Sequence, residues 1–228
     1  MPDAELAVTG RVFALRNIRI YFAKKGRLKF VSHLDMTRFM ARIITKSKIS
    51  IWYTEGFNQH IYMNFALPLS LGYEGLYEIM DFRLIDDNYS IEDCLESLKK
   101  VSPPDIEFLK IRENFAPMKE IAFAEYIMDF ETLSDEAALK LSEFLKRESI
   151  ICSKKGKKGK IREIDIAPKI KSFNIENNSL KLILTAGNEN TLNPSLVLDA
   201  FFEACEIPQI FYTVKRTMVF NEKLEEFE

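Results

Sequence analysis

The feature that most narrows the fold of this chain is an order of local elements, strand–helix–strand–strand–helix–strand, that can be read twice along its 228 residues. In the first copy Ile18, Ile20 and Phe22 alternate along a strand that Lys24-Lys25-Gly26 ends. A helix is expected over residues 34–46. Ser32 is its N-cap, and Asp35, three residues on, completes a capping box. Met36, Phe39, Met40, Ile43 and Ile44 recur at helical spacing and form the buried stripe, while Arg38, Arg42 and Lys46 recur every fourth residue on a neighbouring face. Residues 49–53 predict a second strand, 56–75 a loop and hairpin, and 76–84 a third strand. A second helix, 91–100, starts at Ser90 and stops before Pro103-Pro104, and 106–111 completes the unit.

The second copy runs through a strand at 125–130, where Tyr126, Met128 and Phe130 share a face, and a helix that Ser134 caps. Central strands follow at 161–166 and 180–185. A helix with Pro194 in its first turn and a last strand at 211–220 close the copy. Each copy has the order of a ferredoxin-like unit. The expected class is therefore α+β, two tandem ferredoxin-like (βαββαβ) domains with antiparallel sheets. The boundaries follow as an N-terminal arm at 1–16, a first domain at 17–116 and a second at 117–228.

Composition supplies cores for both, with 47% hydrophobic residues and 18 Phe. The formal net charge of −2 leaves no global basic field, so nucleic acid binding needs a local patch. No apolar run approaches the ~20 residues of a membrane span and no signal-peptide pattern opens the chain, so a cytoplasmic protein with no membrane partner is expected. Cys94, Cys152 and Cys205 are odd in number and far apart, which fits free thiols in a reducing compartment. Without a Cys-x-x-Cys or a Cys-x-x-x-Cys-x-x-Cys motif, no metal site and no cofactor are expected in this chain.

In a βαββαβ unit, the first strand–helix junction and the connection between the second and third strands emerge at one end of the sheet. That end should collect Ser32, His33, Asp35, Arg38, Asn58, His60 and Glu74, with helix N–H groups for an anion. Capping accounts for Ser32 and Asp35. Imidazole is the side chain suited to acid–base work near neutral pH, so His33 and His60, the two histidines of the chain, are the candidate acid–base pair. Strand parity sets Glu78 on the face of Leu76, Met80, Phe82 and Leu84, and Arg216 with Ile210, Tyr212, Val214, Met218 and Phe220. A charge on an apolar face is costly unless paired. A bulge, a strand end, a ligand contact or an ion pair would each explain one. The most basic run holds Lys154, Lys155, Lys157, Lys158, Lys160 and Arg162 around two glycines. It is either a solvated loop or a grip on a phosphate backbone.

The stretch Gly26-Arg27-Leu28-Lys29-Phe30-Val31-Ser32-His33-Leu34-Asp35, then Arg38, then Gly56-Phe57-Asn58-Gln59-His60, resembles the radical-SAM-linked protein family, DUF2344. Leu67-Pro68-Leu69, Glu78, residues 157–165 and Arg216-Thr217 look like its further signatures. Relatives typically carry proline where this chain has Gln59. The resemblance implies a radical SAM enzyme as partner, with S-adenosylmethionine and an iron–sulfur cluster on that partner only.

The functional expectation is an accessory substrate-recognition protein that binds RNA for modification by the radical SAM partner. Arg38 and Arg42 would contact phosphate, the Asn58–His60 loop would read the ligand, and the 154–162 run would add electrostatic grip. Two alternatives remain open: a metal-independent ribonuclease using His33 and His60, and a protein-interaction scaffold that binds no RNA.

Overall fold

The computed structural model describes residues 5–8, 11–85, 89–155, 161–187 and 190–228, without the side chains of 5–8, 11–14, 154–155 and 161–162. The chain divides into two compact units, unit 1 being residues 1–117 with Glu228 and unit 2 residues 118–227.

Unit 1 begins with a hairpin of β1 (Glu5–Val8) and β2 (Arg11–Ala14), within the stretch expected as an N-terminal arm. Then come β3 (Arg16–Lys24), α1 (His33–Ser47), β4 (Met63–Ala66), β5 (Glu74–Leu84), α2 (Ile91–Val101) and β6 (Ile106–Arg112). The strands lie in the order β4–β5–β3–β6, every pair antiparallel. Ile18, Ile20 and Phe22 of β3 and Met80, Phe82 and Leu84 of β5 pack with Met36, Met40, Ile43 and Ile44 of α1 and Leu98 of α2. β3 is also buried on its other face, where Arg19, Tyr21 and Ala23 point.

Unit 2 comprises β7 (Phe123–Phe130), α3 (Asp135–Leu145), β8 (Ile151–Lys155), β9 (Ile161–Asp165), β10 (Ile170–Glu176), β11 (Ser179–Thr185), α4 (Pro194–Ala204) and β12 (Tyr212–Phe220). Its main strands lie in the antiparallel order β10–β11–β7–β12, and β8 pairs with β9 as a separate two-stranded ribbon. Alternate residues of β7, Ala124, Tyr126, Met128 and Phe130, are buried, as are Leu141 and Phe144 of α3 and Phe201 of α4. The Phe144 and Phe201 rings meet at 5.6 Å.

Each of the four α-helices begins at a polar residue that accepts a hydrogen bond from a first-turn N–H. Ser32 serves Asp35, Ser90 serves Asp93, Ser134 serves Ala137 and Asn193 serves Ser195. Each such cap satisfies an otherwise orphaned donor and contributes about 1 kcal/mol.

Two expected strands are placed differently. Residues 49–53 make only isolated bridges, Ile51 to Leu84 and Tyr53 to Ile61, and β4 takes the place of the second main strand of unit 1, after β3. Ile49 and Ile51 alternate because they plug the core beside α1, and that burial carries the same period as a ladder. Likewise Ile161–Asp165 is half of the ribbon, and β10 takes the sheet position. β10 is an edge strand whose Lys171, Ser172, Asn174 and Glu176 are exposed, so it carries little hydrophobic alternation.

Candidate functional site

Two buried charges mark a cavity at the end of the unit 1 sheet. A register shift in the β3–β5 ladder between Phe22 and Lys24 brings Lys24 opposite Gly75. Lys24 is only 5% exposed, and Glu78, opposite Phe22, only 7%. A Cβ at Gly75 would overlap Glu78 Oε1, so any larger residue there would displace the Glu78 side chain from its present position. Both charges line a cavity of about 20 Å³ together with His33 and the apolar side chains of Phe65, Pro68 and Leu69. That volume holds roughly one water molecule.

His33 is the first residue of α1 and remains exposed, with its ring edge-on to Phe65 at 5.3 Å. An imidazole, a carboxylate and an ammonium thus surround one small polar space. Such a set can anchor the polar tip of a ligand or move a proton.

Ser32 and Asp35 form a variant of the capping box: Asp35 N donates to Ser32 Oγ at 3.2 Å, and the Asp35 carboxylate accepts at Oδ2 from the Ser32 hydroxyl, 2.7 Å away, in place of a backbone N–H. The Ser32 hydroxyl, and then Arg38, hold the Asp35 carboxyl below its ordinary value. Arg38 is bound to Asp35 at 3.2 Å, and Arg42 is exposed further along α1. Other cations at this end also have carboxylates beside them. Lys25 lies 2.7 Å from Glu107, Arg27 3.6 Å from Asp105, and Lys29 3.9 Å from Glu74. Each such pair is worth little to stability, but it cancels the local field an anion would feel.

Asn58 and His60 belong to a loop of their own. Thr54 N donates to the His60 carbonyl at 2.8 Å and His60 N to Thr54 Oγ1 at 3.2 Å. His60 Nδ1 lies 3.0 Å from the Asn58 carbonyl oxygen, a pure acceptor, so Nδ1 carries the proton in that bond. Asn58 and His60 are exposed, and Phe57 beside them is fully so. The cavity lining includes His33 and Glu78 but not His60, so it does not unite the two histidines.

Arg216 is 2% exposed on β12, next to Val214 on the inward face. The β7–β12 register shifts between Arg216 and Met218, and Val219 is the next buried residue. The alignment of Arg216 with Met218 and Phe220 is therefore broken by a bulge. Lys154 lies opposite Arg162 and Lys155 opposite Ile161 on the ribbon. The side chains of Lys154, Lys155 and Arg162, and all of Lys157, Lys158 and Lys160, lie outside the described residues.

Sequence reasoning missed Lys24, which reads as a strand terminator, and a pair on the second face of unit 1. Arg19 is fully buried and grips Asp81 through Nε (2.7 Å) and a terminal nitrogen (2.9 Å), while its other terminal nitrogen donates to the Ala116 carbonyl at 2.7 Å. Burial pushes the Asp81 carboxyl upward against the pull of Arg19. Parity held the signal, because Arg19 and Asp81 face each other in the ladder. On the same face the Tyr21 hydroxyl is pushed up to about 12, chiefly by burial.

The cysteines occupy α2, β8 and the end of α4, burial pushes Cys94 up to about 12, and among the described residues no three His, Cys, Asp or Glu group together. Among them, too, no helix is long and apolar enough to cross a membrane.

Among the described residues the molecule is thus a mixed α+β protein with mostly antiparallel strands, four α-helices and a charged cavity at one end of the unit 1 sheet. Residues 17–194 match the model of a family described as "Uncharacterized protein conserved in bacteria (DUF2344)", and the chain belongs to that family. No curated protein matches it. Among solved structures, a Cbf5–Nop10–Gar1 complex matches over 90% of this chain at 14% identity and a TM-score of 0.46. The chain spans about half of that neighbour, 50% of its length. A putative glycine cleavage system transcriptional repressor matches over 91% of this chain and 99% of its own, at 11% identity and a TM-score of 0.27.

Proposed function

We propose that this chain is an accessory substrate-recognition protein built from two ferredoxin-like halves, and that it binds RNA on behalf of a radical SAM enzyme. The observation that carries the RNA reading is the contrast between two basic regions. At the α1 end of unit 1, Lys25, Arg27, Lys29 and Arg38 each have a carboxylate within 4 Å. In unit 2, the sequence from 154 to 162 concentrates Lys154, Lys155, Lys157, Lys158, Lys160 and Arg162, with Glu163 as the nearest acid in sequence, and β8 and β9 pair at its two ends. A two-stranded ribbon whose last rungs carry cations, within so basic a stretch of sequence, suits a phosphate backbone.

The radical SAM partner rests on the resemblance of the 26–38 and 56–60 segments. On this reading S-adenosylmethionine and the cluster reside on the partner, since the three cysteines here are scattered. The ferredoxin-like reading is supported by the strand orders β4–β5–β3–β6 and β10–β11–β7–β12, which are the same order in each unit. In this reading the ribbon grips phosphate, and the cavity of Lys24, His33 and Glu78 receives a polar group of the substrate. Arg38, already held by Asp35, has a smaller part in phosphate contact.

The test is affinity purification of the tagged chain from cells after ultraviolet crosslinking, with copurifying proteins and crosslinked RNA both identified. A radical SAM protein and an RNA crosslinked at peptides of 151–165 are expected. Protein without RNA would replace this reading with that of a scaffold.

A further inference from the structure

The second face of unit 1 carries an open recess of about 380 Å³ lined by Asn17, Tyr62, Asp81, Glu113, Asn114 and Phe115. That is within the size range of small-ligand pockets, roughly 300–1,000 Å³. None of these residues belongs to the cavity at the end of the sheet.

The lining is built rather than incidental. Arg19 fixes both oxygens of Asp81, and Arg16 Nε donates to Glu113 Oε1 at 2.6 Å. The same Arg19 guanidinium lies 4.1 Å from the centre of the Phe115 ring, and Arg83 lies 4.5 Å from that of Tyr62. Arg83 also donates to Asn17 Oδ1 at 3.0 Å, so the Asn17 amide presents its NH₂ as the remaining donor.

The recess therefore combines two rings with carboxylate acceptors that keep further lone pairs, and with amide donors. A phosphate would face two carboxylates whose guanidinium partners are already committed. A purely apolar ligand would strand those acceptors without partners. A planar ring bearing N–H donors satisfies both the rings and the acceptors.

We infer that this recess receives an amino-bearing nucleobase of bound RNA, with guanine preferred, because the N1–H and N2–H₂ edge of guanine offers two parallel donors to a carboxylate. Uracil presents two carbonyls toward such an acceptor and is disfavoured. The inference rests on the RNA reading above and adds a base contact to its phosphate contact.

The test uses Trp52, the single tryptophan of the chain, whose ring lies 6.0 Å from that of Tyr62. The full chain is titrated with guanosine, uridine and a guanosine-containing trinucleotide while Trp52 fluorescence is followed. Guanosine should give a saturable change, uridine should bind at least tenfold more weakly, and the trinucleotide should bind more tightly than guanosine. Asn17→Ala should weaken guanosine binding at least fivefold with an unchanged melting temperature. Glu113→Gln, which replaces a pure acceptor with an amide, should narrow the guanosine-to-uridine ratio.

No saturable change up to about 1 mM guanosine or equal binding of the two nucleosides would overturn the inference, whereas a trinucleotide no tighter than guanosine would overturn the RNA reading on which it rests. Alanine at the five ribbon lysines separates the two readings. That variant should keep wild-type guanosine affinity even if RNA binding through the ribbon proves absent.

Discussion

Units 1 and 2 set their four main strands in the same order, yet they fill the connection between first helix and second strand with opposite chemistry. In unit 1 that connection is residues 48–62, with Trp52, Tyr53, Phe57, Asn58, His60 and Tyr62, and only Lys48 and Glu55 are fully charged at neutral pH. In unit 2 it is residues 146–169 and includes the ribbon with its run of lysines. The same strand order thus accommodates two connections of different length and composition. One half offers rings and amides, the other offers charge.

The units also differ in how they hold ion pairs, and mutation sharpens that difference. Asp81→Ala should be the most damaging change considered. It strands the Arg19 guanidinium, which has no exposed surface, and should cost about 3–5 kcal/mol in urea unfolding of the full chain. The equivalent cut in unit 2 is Lys215→Ala, which removes the 3.0 Å pair to Asp129 but leaves Asp129 its bond from Ser179, and Lys215 is 37% exposed. It should cost less than about 1 kcal/mol. Equal costs for the two would erase the contrast between a buried and a solvated pair.

Between these extremes lie the caps. Ser32→Ala and Ser134→Ala should each remove about 1 kcal/mol, read from the same unfolding curves. A much larger loss at Ser32 would mean that the α1 entry supports more than its own helix, the Lys24–His33–Glu78 cavity included.

The smallest effect is on pH dependence. The carboxyls of Glu113, Asp129 and Glu228 are held below their ordinary values, chiefly by hydrogen bonds from Arg16, Ser179 and Lys110 respectively. Groups with a depressed folded-state pKa contribute stability above the unfolded value near 4, and that stability is lost as pH falls through the lower folded value. Asp81 is raised and acts with the opposite sign, so protonation there relieves a burial penalty. The melting temperature should fall below about pH 4, and Asp129→Asn should make that fall shallower. A melting temperature that rises over the same interval would show that Asp81 outweighs the others.

Much of the frame was legible in the sequence because it rests on local rules. Ser32, Ser90, Ser134 and Asn193 mark all four α-helix starts, and period-two burial marks β7 and most of β5. Expectation failed where burial and pairing part company. Residues 49–53 bury side chains without a continuous ladder, while β10 pairs without burying much. At the candidate site, Glu78 was visible by parity and the Ser32–Asp35 cap by spacing. Lys24 was hidden because a bulge turns it inward, and a bulge has no pattern of its own. The separation of Asn58 and His60 into a closed loop depends on Thr54, a contact between residues that local periodicity does not couple.

The central claim is that the unit 2 ribbon, rather than the α1 face of unit 1, supplies the electrostatic grip on RNA. The most direct measurement is the salt dependence of single-stranded RNA binding by the full chain, by a variant with alanine at Lys154, Lys155, Lys157, Lys158 and Lys160, and by Arg38→Ala/Arg42→Ala. Each phosphate contact contributes about 0.7 to the slope of log K against log salt for a single strand. The ribbon variant should lose most of the slope and at least tenfold in affinity at low salt, while the α1 variant keeps a slope near the wild-type value. An unchanged slope in the ribbon variant, or a larger loss in the α1 variant, would contradict the account.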